Sequence, residues 1–445
     1  MLKTFRIGGI HPEAKKLTAG KKIEVLGLPK QAVFPLSQHI GAPAVPCVQK
    51  GDTVMVGTMI AQAGSFMSAN IHSSVSGKVS KIDTAIDASG YRKPAIYIDV
   101  TDDIWEPSID RTGRLVVQCT LSPQDIIDKV QKAGVVGMGG ACFPTHVKML
   151  PPKDCKIDTL IINAVECEPY LTADHSLILE HVDEIIIGIR IMMKAMAIDK
   201  AFIGIEENKP DAIKLLNDKV SLVSGIEVAP LKMKYPQGGE KQLIEAITGR
   251  FVPAPPAIPA NVGVLVQNVG TVFAVYEAVQ KNKPLIERIV TVTGDSVKNP
   301  SNLLVRMGTS ISQLVDYAGG MPEDTGKLIS GGPMMGRPLL NMDVPIVKGT
   351  SGVLMLDEKT ATRQEEEHCI RCAKCVQACP MGLEPYLLAT CGEKNDWETA
   401  ENEDIMSCIE CGCCQSTCPS HRPLLDWVRF AKNRVGGIIR SRNAK

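Results

Sequence analysis

The chain has 445 residues, of which 44% are hydrophobic and 22% are charged, a length that suits about three globular domains. Lysine plus arginine and aspartate plus glutamate both number 49, so the sequence lacks the basic excess of a general nucleic-acid binder. The apolar content excludes extensive disorder. The opening residues lack the apolar stretch of a secretory signal, and the prolines within residues 251–276 disfavour a membrane span there. We therefore expect a cytoplasmic protein without a transmembrane span of its own and without a nucleic-acid partner.

Residues 1–105 carry the signals of a β domain. We expect turns at residues 50–52 and 75–78 between β-rich runs. The pattern G-D-x-V-x-x-G followed by V-x-G-x-V resembles a lipoyl- or biotinyl-type barrel sandwich. In carriers of this type a lysine stands at an exposed hairpin tip, but the corresponding residues 66–72 contain no lysine. We predict the barrel-sandwich fold without the carrier function.

Residues 110–282 alternate between helix and strand signals. Ser122, Pro123 and Asp125 form a typical helix start. Residues 159–165 predict a buried strand, residues 173–196 a long amphipathic helix and residues 200–206 another strand. This alternation predicts a Rossmann-like α/β domain with a parallel sheet.

A glycine-rich loop follows the first helix of this region. Gly134, Gly137, Gly139 and Gly140 allow backbone N–H groups to approach a phosphate, and the helix start beyond them favours an anion. Lys148 adds a cation. The loop follows a helix and not a strand, so it is not the usual dinucleotide fingerprint, and a purely structural loop explains it about equally well.

Polar residues also follow the predicted strands. Asn163, Glu166 and Glu168 come after the first strand, and Asn268 ends a later one. Ligands of open α/β sheets bind at this edge, where carboxylates can accept hydrogen bonds from ribose hydroxyls or a flavin ring N–H. The alternative is a capped strand end with solvated acids. A glycine turn at residues 235–241 opens another helix and carries both signs of charge.

The pattern of residues 283–350 predicts a smaller β-rich unit with one helix. A charged linker at residues 357–368 overlaps the start of the last predicted domain, residues 360–445. Fifteen cysteines are present, and ten of them lie between Cys369 and Cys418. Two runs there follow the spacing C-x2-C-x2-C-x3-C-P, which is typical of bacterial [4Fe–4S] sites. Structural zinc is the alternative, although zinc sites usually draw on C-x2-C pairs.

In two-cluster proteins the fourth cysteine of each run ligates the other cluster. We therefore assign cluster one to Cys369, Cys372, Cys375 and Cys418, and cluster two to Cys408, Cys411, Cys414 and Cys379. The connector between the runs has helical periodicity, so a mostly α-helical two-cluster domain is predicted. Cys391 and Cys413 fall outside the pattern and are interpreted as packing residues.

The tail beyond His421 is basic. It has seven lysines and arginines against Asp426, a net charge of +6 that includes Lys445. A solvated helix end is the favoured explanation. The alternative is an electrostatic docking site for a partner or an anionic membrane surface.

Long stretches of the chain resemble one family. They are GGIHPEAKK, PLSQHIGAPAVPCVQKGDTV, GVVGMGGACFPTHVKM, NAVECEPYLTADH, YPQGGEKQLI and VGVLVQNVGT, in that order, before the two cysteine runs. This set resembles the C subunit of the Rnf electron transport complex across nearly the whole chain. The central domain is also similar to the flavin- and NADH-binding subunit of respiratory complex I, and residues 283–350 resemble its β-grasp SLBB domain.

The resemblance implies noncovalent FMN, hydride exchange with NAD(H) and single-electron transfer through two [4Fe–4S] clusters. The implied contacts to the FMN phosphate and ring are Gly137, Gly139, Gly140 and Lys148. Asn163, Glu166 and Glu168 are implied as ring and nicotinamide contacts, Asn268 as a phosphate or ribitol contact, Phe143 as a neighbour of the adenine, and Glu240 and Lys241 as the lining of the NADH pocket.

The same resemblance implies the setting of the protein. It would be a peripheral subunit on the cytoplasmic side of the bacterial inner membrane, with membrane and iron–sulfur subunits as partners and ferredoxin reached through another subunit. One alternative is a corrinoid reductase of diol-utilisation microcompartments, against which the GGIHP and QHIGAP stretches argue. Another is a relay scaffold without flavin, against which the intact glycine loop argues. Which cluster lies nearer the flavin stays open at this level.

Overall fold

The computed structural model describes residues 2–443. A β sandwich, an α/β unit, a second β unit and a helical unit follow one another along the chain. Within the described part of the chain, we find no helix that combines the length and the apolar character needed to cross a membrane. The mixed multidomain architecture is the one that the sequence predicts.

The N-terminal part of the chain is built of short strands and one long hairpin. Its strands are β1 (Ile23–Val25), β2 (Gln31–Pro35), β3 (Val45–Pro46), β4 (Thr53–Val54), β5 (Met59–Gln62), β6 (Ile71–His72), β7 (Ser76–Ile86) and β8 (Arg92–Asp102). Two sheets, ordered β2-β8-β7-β4 and β3-β5-β6, form the sandwich. Residues 50–52 do lie between strands. The turn expected at 75–78 is wrong, because Ser76 begins β7 and Gly77 pairs with Val100 of β8.

The α/β unit alternates as predicted. Its elements are α1 (Pro123–Lys132), α2 (Thr145–Lys148), β9 (Thr159–Asn163), α3 (Ala173–Met196), β10 (Ala201–Glu206), α4 (Pro210–Val220), β11 (Ile226–Leu231), α5 (Glu240–Thr248), β12 (Val264–Asn268) and α6 (Val269–Gln280). Ser122 and Asp125 form the expected capping box of α1. The helix α3 is buried over most of its length and is not amphipathic, since it packs against α1, α4 and α6.

The sheet of this unit is parallel, with strand order β11-β10-β9-β12. The chain runs outward from β9 through β10 to β11 and then returns to the other side of β9 with β12. The boundary between β9 and β12 is therefore a topological switch point, where such sheets bind ligands. Asn163 and Asn268 are register partners at this boundary, so both strands end at the same level.

The third unit has one mixed sheet. Its elements are β13 (Glu287–Thr293), β14 (Ser301–Arg306), α7 (Ile311–Tyr317), β15 (Thr325–Ser330), β16 (Arg337–Pro338), β17 (Gly352–Asp357) and the short α8 (Glu358–Ala361). The strand order is β1-β14-β13-β17-β15-β16. The N-terminal strand β1 thus joins this sheet in parallel to β14, and β17 inserts beside β13.

The C-terminal unit is helical, including the connector between the cysteine runs. Its helices are α9 (Lys374–Ala378), α10 (Pro385–Lys394), α11 (Trp397–Asn402), α12 (Cys413–Ser416) and α13 (Leu424–Asn443). Leu388, Cys391 and Val428 lie in the core where α10 packs on α13. The basic tail therefore belongs largely to a packed helix, while Lys445 lies outside the described residues.

The N-terminal segment crosses between units before it reaches β1. Lys3 pairs with Leu231, Ile10 pairs with Tyr235, and the Gly9 N–H donates to the Ala378 carbonyl at 3.0 Å. A Cβ at Gly8 would clash with the Cys379 carbonyl oxygen. This segment therefore fastens the helical unit to the α/β unit.

Candidate functional site

The glycine loop lies on the start of α6, at the switch point. It is closed by a hydrogen bond from the Gly137 N–H to the Phe143 carbonyl at 2.9 Å. The Met138 N–H donates to Thr271 Oγ1 at 2.9 Å. A Cβ on Gly139 would lie 2.9 Å from the Asn268 side chain, whereas one on Gly140 would meet nothing within 4 Å. The loop thus packs tightly at Gly139 and leaves open space at Gly140.

The two strand-end asparagines form the floor of the site. The Asn163 Nδ2 donates to the Gly238 carbonyl at 2.8 Å, which ties β9 to the turn before α5. Asn268 Oδ1 accepts from the Gly270 N–H and its Nδ2 donates to Asp174 Oδ2 at 2.7 Å. Asn268 is therefore the N-cap of α6, and its amide is occupied by protein partners.

The predicted acids Glu166 and Glu168 take different positions. Glu166 accepts from the N–H groups of Asp174 and His175 and thereby caps α3. Burial, and then the charge of Glu166, raises the pKa of Asp174 to about 7. Asp174 was not predicted as a site residue, although an acid in the first turn of a helix that follows a strand-end loop indicates such a position.

Glu168 is joined to the third unit. Its carboxylate accepts from the N–H groups of Met334 and Met335, at 3.1 and 2.8 Å, in the loop between β15 and β16. Burial raises the pKa of Glu168 to about 7, even though both N–H donors and Lys16 favour the charged form. The carboxyl group is therefore poised to gain or lose a proton near neutral pH.

Lys148 and Glu240 meet across the open side of the site. Lys148 Nζ lies 2.6 Å from Glu240 Oε1, and both side chains keep part of their surface exposed. Lys241, which the resemblance places beside them, donates instead to the Pro253 carbonyl at 2.6 Å. Phe143 is half-buried at the closing end of the glycine loop.

Three further cations surround this edge of the sheet. Lys16 donates to the carbonyls of Glu166, Glu168 and Leu171 at 2.7–2.9 Å and so shapes the loop between β9 and α3. Arg288 donates to Met138, and Lys348 donates to Gly134, both behind the glycine loop. Burial lowers the pKa of Lys348 to about 7. Sequence analysis missed all three because they come from distant parts of the chain.

These features fit a ligand that carries a phosphate. Open glycine backbone, the N-terminus of a 12-residue helix and the partly exposed Lys148 converge at one edge of the sheet, with the buried Arg288 behind them. Each of these favours an anion. The residues are therefore compatible with the phosphate and ring of FMN.

The predicted ligands of cluster two are neighbours. Burial, together with the charge of nearby thiols, raises the pKa of Cys414 to about 12 and of Cys408 to about 11. Those thiols include Cys411 and Cys379, the latter from the other run. Main-chain N–H groups of Leu383 and Glu410 point at the sulfurs of Cys379 and Cys408 at 3.4 Å. Such hydrogen bonds are among the features that set cluster potentials.

The predicted ligands of cluster one lie at the surface. Cys369 and Cys372 are exposed, and Cys375 and Cys418 are half-buried. Burial raises the pKa of Cys375, and Cys418 from the other run adds to this. Among residues 2–443, no group of three His, Cys, Asp or Glu side chains converges as on a single metal ion. In a four-iron cluster each thiolate binds a different iron, so that convergence is not required.

The residues of the glycine turn before α5 contact both the cysteine runs and the side of the site that carries Lys148. Tyr235 donates from its hydroxyl to the Cys411 carbonyl at 2.9 Å, and Gln242 Nε2 donates to the Pro380 carbonyl at 3.2 Å. Glu240, between them in sequence, turns to Lys148. The predicted cluster two thus adjoins the same sheet edge as the glycine loop, and Cys413 is buried as a packing residue beside Tyr235.

Fold and site together define a flavin- and iron–sulfur-binding electron-transfer protein, and the family comparisons agree. Four family models match: the RnfC barrel sandwich hybrid domain at residues 3–103, the Nuo51 FMN-binding domain at 130–277, the SLBB domain at 289–338 and a 4Fe-4S dicluster domain at 361–419. The predicted fold class and cofactors, FMN and two [4Fe–4S] clusters, are confirmed.

Relatives identify the family. The chain is 46% identical, over 98% of its length and 95% of the relative, to the C subunit of the proton-translocating ferredoxin:NAD(+) oxidoreductase complex of Clostridium ljungdahlii. It is 43% identical, over 97% of both chains, to the C subunit of the Na(+)-translocating ferredoxin:NAD(+) oxidoreductase complex of Acetobacterium woodii. The chain belongs to the family of C subunits of ion-translocating oxidoreductase complexes, as predicted.

A solved structure shows a related fold. The NAD+-reducing [NiFe]-hydrogenase in the air-oxidized state superposes with a TM-score of 0.50 at 19% identity, over 70% of this chain and 66% of that chain. At this identity the likeness describes the fold alone.

Proposed function

We propose that the chain is the NAD(H)-reactive subunit of a ferredoxin:NAD+ oxidoreductase complex that moves ions across a membrane. The names of the Clostridium and Acetobacterium relatives support this. When bound, FMN supplies the conversion between a two-electron hydride and single electrons, which neither NAD(H) nor a cluster can provide. The polypeptide binds the flavin, orients nicotinamide against it and holds the electron-accepting cluster close.

The flavin site is assigned to the β9–β12 edge. The backbone of Gly137, Gly139 and Gly140 would hold the flavin, with Lys148 as its exposed cation. The N-terminus of α6, capped by Asn268, would attract the phosphate. Asn163, Glu166 and Glu168 complete the floor, mainly through the loop geometry that their hydrogen bonds maintain.

The NADH pocket is assigned to the open side of this site. Glu240, with Phe143 near the adenine, would line it, and the Lys148–Glu240 pair lies where the dinucleotide would enter. Lys241 is the weakest of the contacts implied by the family, because its ammonium group already serves the Pro253 carbonyl.

The two clusters are assigned an order. Cluster two, with Cys408, Cys411, Cys414 and Cys379, would receive electrons from the flavin, because its loops contact Tyr235 and Gln242 at the flavin-site edge. Cluster one would pass electrons onward, because Cys369 and Cys372 are exposed. The apposition of the second cysteine run to the glycine-loop edge is the observation that carries the proposed function.

The setting of the subunit follows from the family. We infer a peripheral position on the cytoplasmic side of the membrane, with membrane and iron–sulfur subunits as partners and ferredoxin oxidised at another subunit. The relatives are named for different coupling ions, H+ and Na+, so membership of the family does not indicate which ion this complex moves. We assign the domains to residues 1–105, 110–282, 283–350 and 360–445.

An anaerobic spectral titration tests the proposal. The purified chain is loaded with FMN, freed of excess flavin and mixed with NADH while visible absorption is recorded. We expect stoichiometric flavin, bleached by NADH together with cluster reduction. Lys148→Ala should weaken FMN or NADH binding, whereas Lys153→Ala, at an exposed position nearby, should not. Clusters without flavin, or flavin that does not respond to NADH, would exclude the dehydrogenase function.

A further inference from the structure

One buried tyrosine fills the space between the flavin-site edge and cluster two. Tyr235 is 1% exposed and is among the largest fully buried side chains of the described chain. Its ring packs in one group of buried side chains with Ala378, Cys411 and Cys413, and Cys167 lies against the same group. The ring is thus bounded by both cysteine runs and by the loop that carries Glu166 and Glu168.

The Tyr235 side chain has neighbours on both sides. Its hydroxyl donates to the Cys411 carbonyl at 2.9 Å, and its ring lies in the group of buried side chains against which Cys167, the neighbour of Glu168, packs. One side chain therefore contacts both a proposed cluster ligand and the loop that carries Glu166 and Glu168.

The position of this side chain is held by the backbone. The Tyr235 N–H donates to the Ile10 carbonyl and the Ile10 N–H donates to the Tyr235 carbonyl, both at 2.8 Å. The N-terminal segment that makes this pair also contacts Ala378 beside Cys379. The tyrosine therefore has little freedom to leave the boundary between the two centres.

We propose that Tyr235 is the positioning residue that couples the flavin site electronically to cluster two, an inference that rests on the function proposed above. Electronic coupling falls less steeply along bonded and hydrogen-bonded atoms than across a gap. One electron leaves the reduced flavin and one arrives on the cluster, while no bond forms or breaks at the tyrosine.

The test compares two variants of the full chain loaded with FMN and both clusters. Tyr235→Phe keeps the ring and removes the hydroxyl. Gln242→Leu is the matched control, because Gln242 also joins the α/β unit to the cysteine runs, through Pro380 and Met381 beside Cys379. Each protein is mixed with NADH anaerobically. Flavin bleaching is followed by stopped-flow absorption and the reduced clusters by freeze-quench EPR.

We expect Tyr235→Phe to retain its flavin and iron, to bleach as fast as the parent protein and to reduce its clusters about tenfold more slowly, equivalent to about 1.4 kcal/mol in the barrier. Gln242→Leu should match the parent in both rates. A purely structural role of Tyr235 would not slow cluster reduction while leaving flavin bleaching and the cofactor content unchanged.

Three results would overturn the inference. Cluster reduction in Tyr235→Phe at the parent rate would show that the hydroxyl carries no coupling. Equally slow cluster reduction in Gln242→Leu would show that the rate depends on the packing of the α/β unit against the helical unit and not on the tyrosine. Loss of a cluster from Tyr235→Phe would show that the hydroxyl holds the Cys411 loop. A parent protein that does not bleach with NADH contradicts the proposed function itself, whatever the variants do.

Discussion

The two cysteine runs have the same spacing and opposite surroundings. The first run places Cys369 and Cys372 in solvent, whereas Cys411 of the second run is buried against Tyr235 of the α/β unit. The fourth cysteines are exchanged, so each predicted cluster draws on both runs. In the order proposed above, the same ligand chemistry would therefore serve two roles: one cluster would face the flavin site, and the other would face the exterior.

The largest expected effect comes from removing one cluster at a time. Cys411→Ser should abolish electron transfer out of the flavin, because Cys411 belongs to the cluster that we propose to accept electrons from it. Cys372→Ser should remove the exposed cluster and leave the buried one reducible by NADH. Iron content and EPR after NADH addition measure both, with Cys47→Ser, an exposed cysteine of the β sandwich, as control. If Cys411→Ser still reduces its remaining cluster rapidly, the proposed order is wrong.

A smaller effect, on FMN affinity, is expected from a substitution on the open side of the glycine loop. Gly140→Ala meets no protein atom within 4 Å, so the fold should tolerate it, and weaker FMN binding would show that the ligand occupies that space. We expect a loss of about tenfold in affinity, within the range of about 1–3 kcal/mol for an overpacked site. Gly20→Ala, also without a near neighbour but outside the site, is the control for space, although its positive φ adds local strain. Flavin fluorescence titration gives the affinities, and unchanged binding in Gly140→Ala would place the flavin elsewhere.

The smallest effect concerns Glu168 and pH. Burial raises its pKa from 4.5 to about 7, so the folded protein binds a proton more tightly than the unfolded chain does. Its contribution is therefore most favourable below about pH 4.5 and declines as pH rises towards 7. Glu168→Gln should remove this part of the pH dependence and raise the midpoint of thermal unfolding at pH 8 by a few degrees, for about 1–2 kcal/mol. Parallel midpoint curves of both proteins between pH 5 and pH 8 would contradict this.

Much of the fold could be read from patterns of neighbouring residues. The capping box at Ser122 and Asp125 starts α1 as predicted, because its partners are three residues apart. The limits of α3 also agree with the prediction, yet its amphipathic character does not, since its second face is covered by α6 and α4. Ser76 begins a strand and not a turn because its run pairs with β8, a partner that local turn signals do not reveal.

Some residues of the candidate site could likewise be predicted from local sequence patterns, and others could not. Its glycines and strand-end amides stand in recognisable stretches, and the structure places Gly139 beside Asn268 at one edge. Lys16, Arg288 and Lys348 reach the same edge from other units, and no spacing rule connects them to it. Lys241 stands in a recognisable stretch but turns to Pro253, because helix geometry sends adjacent residues in different directions.

The sequence by itself determined the class of cofactor, because ligand spacing, glycine backbone and strand-end polarity are local properties of the chain. Cluster chemistry, a parallel sheet and the family all follow from such stretches. Only the tertiary structure decided which cysteine run lies against the sheet edge, how deeply Glu168 and Asp174 are buried, and that Tyr235 packs between Cys411 and the loop after β9. These depend on burial and on contacts between residues far apart in the chain, which only packing brings together.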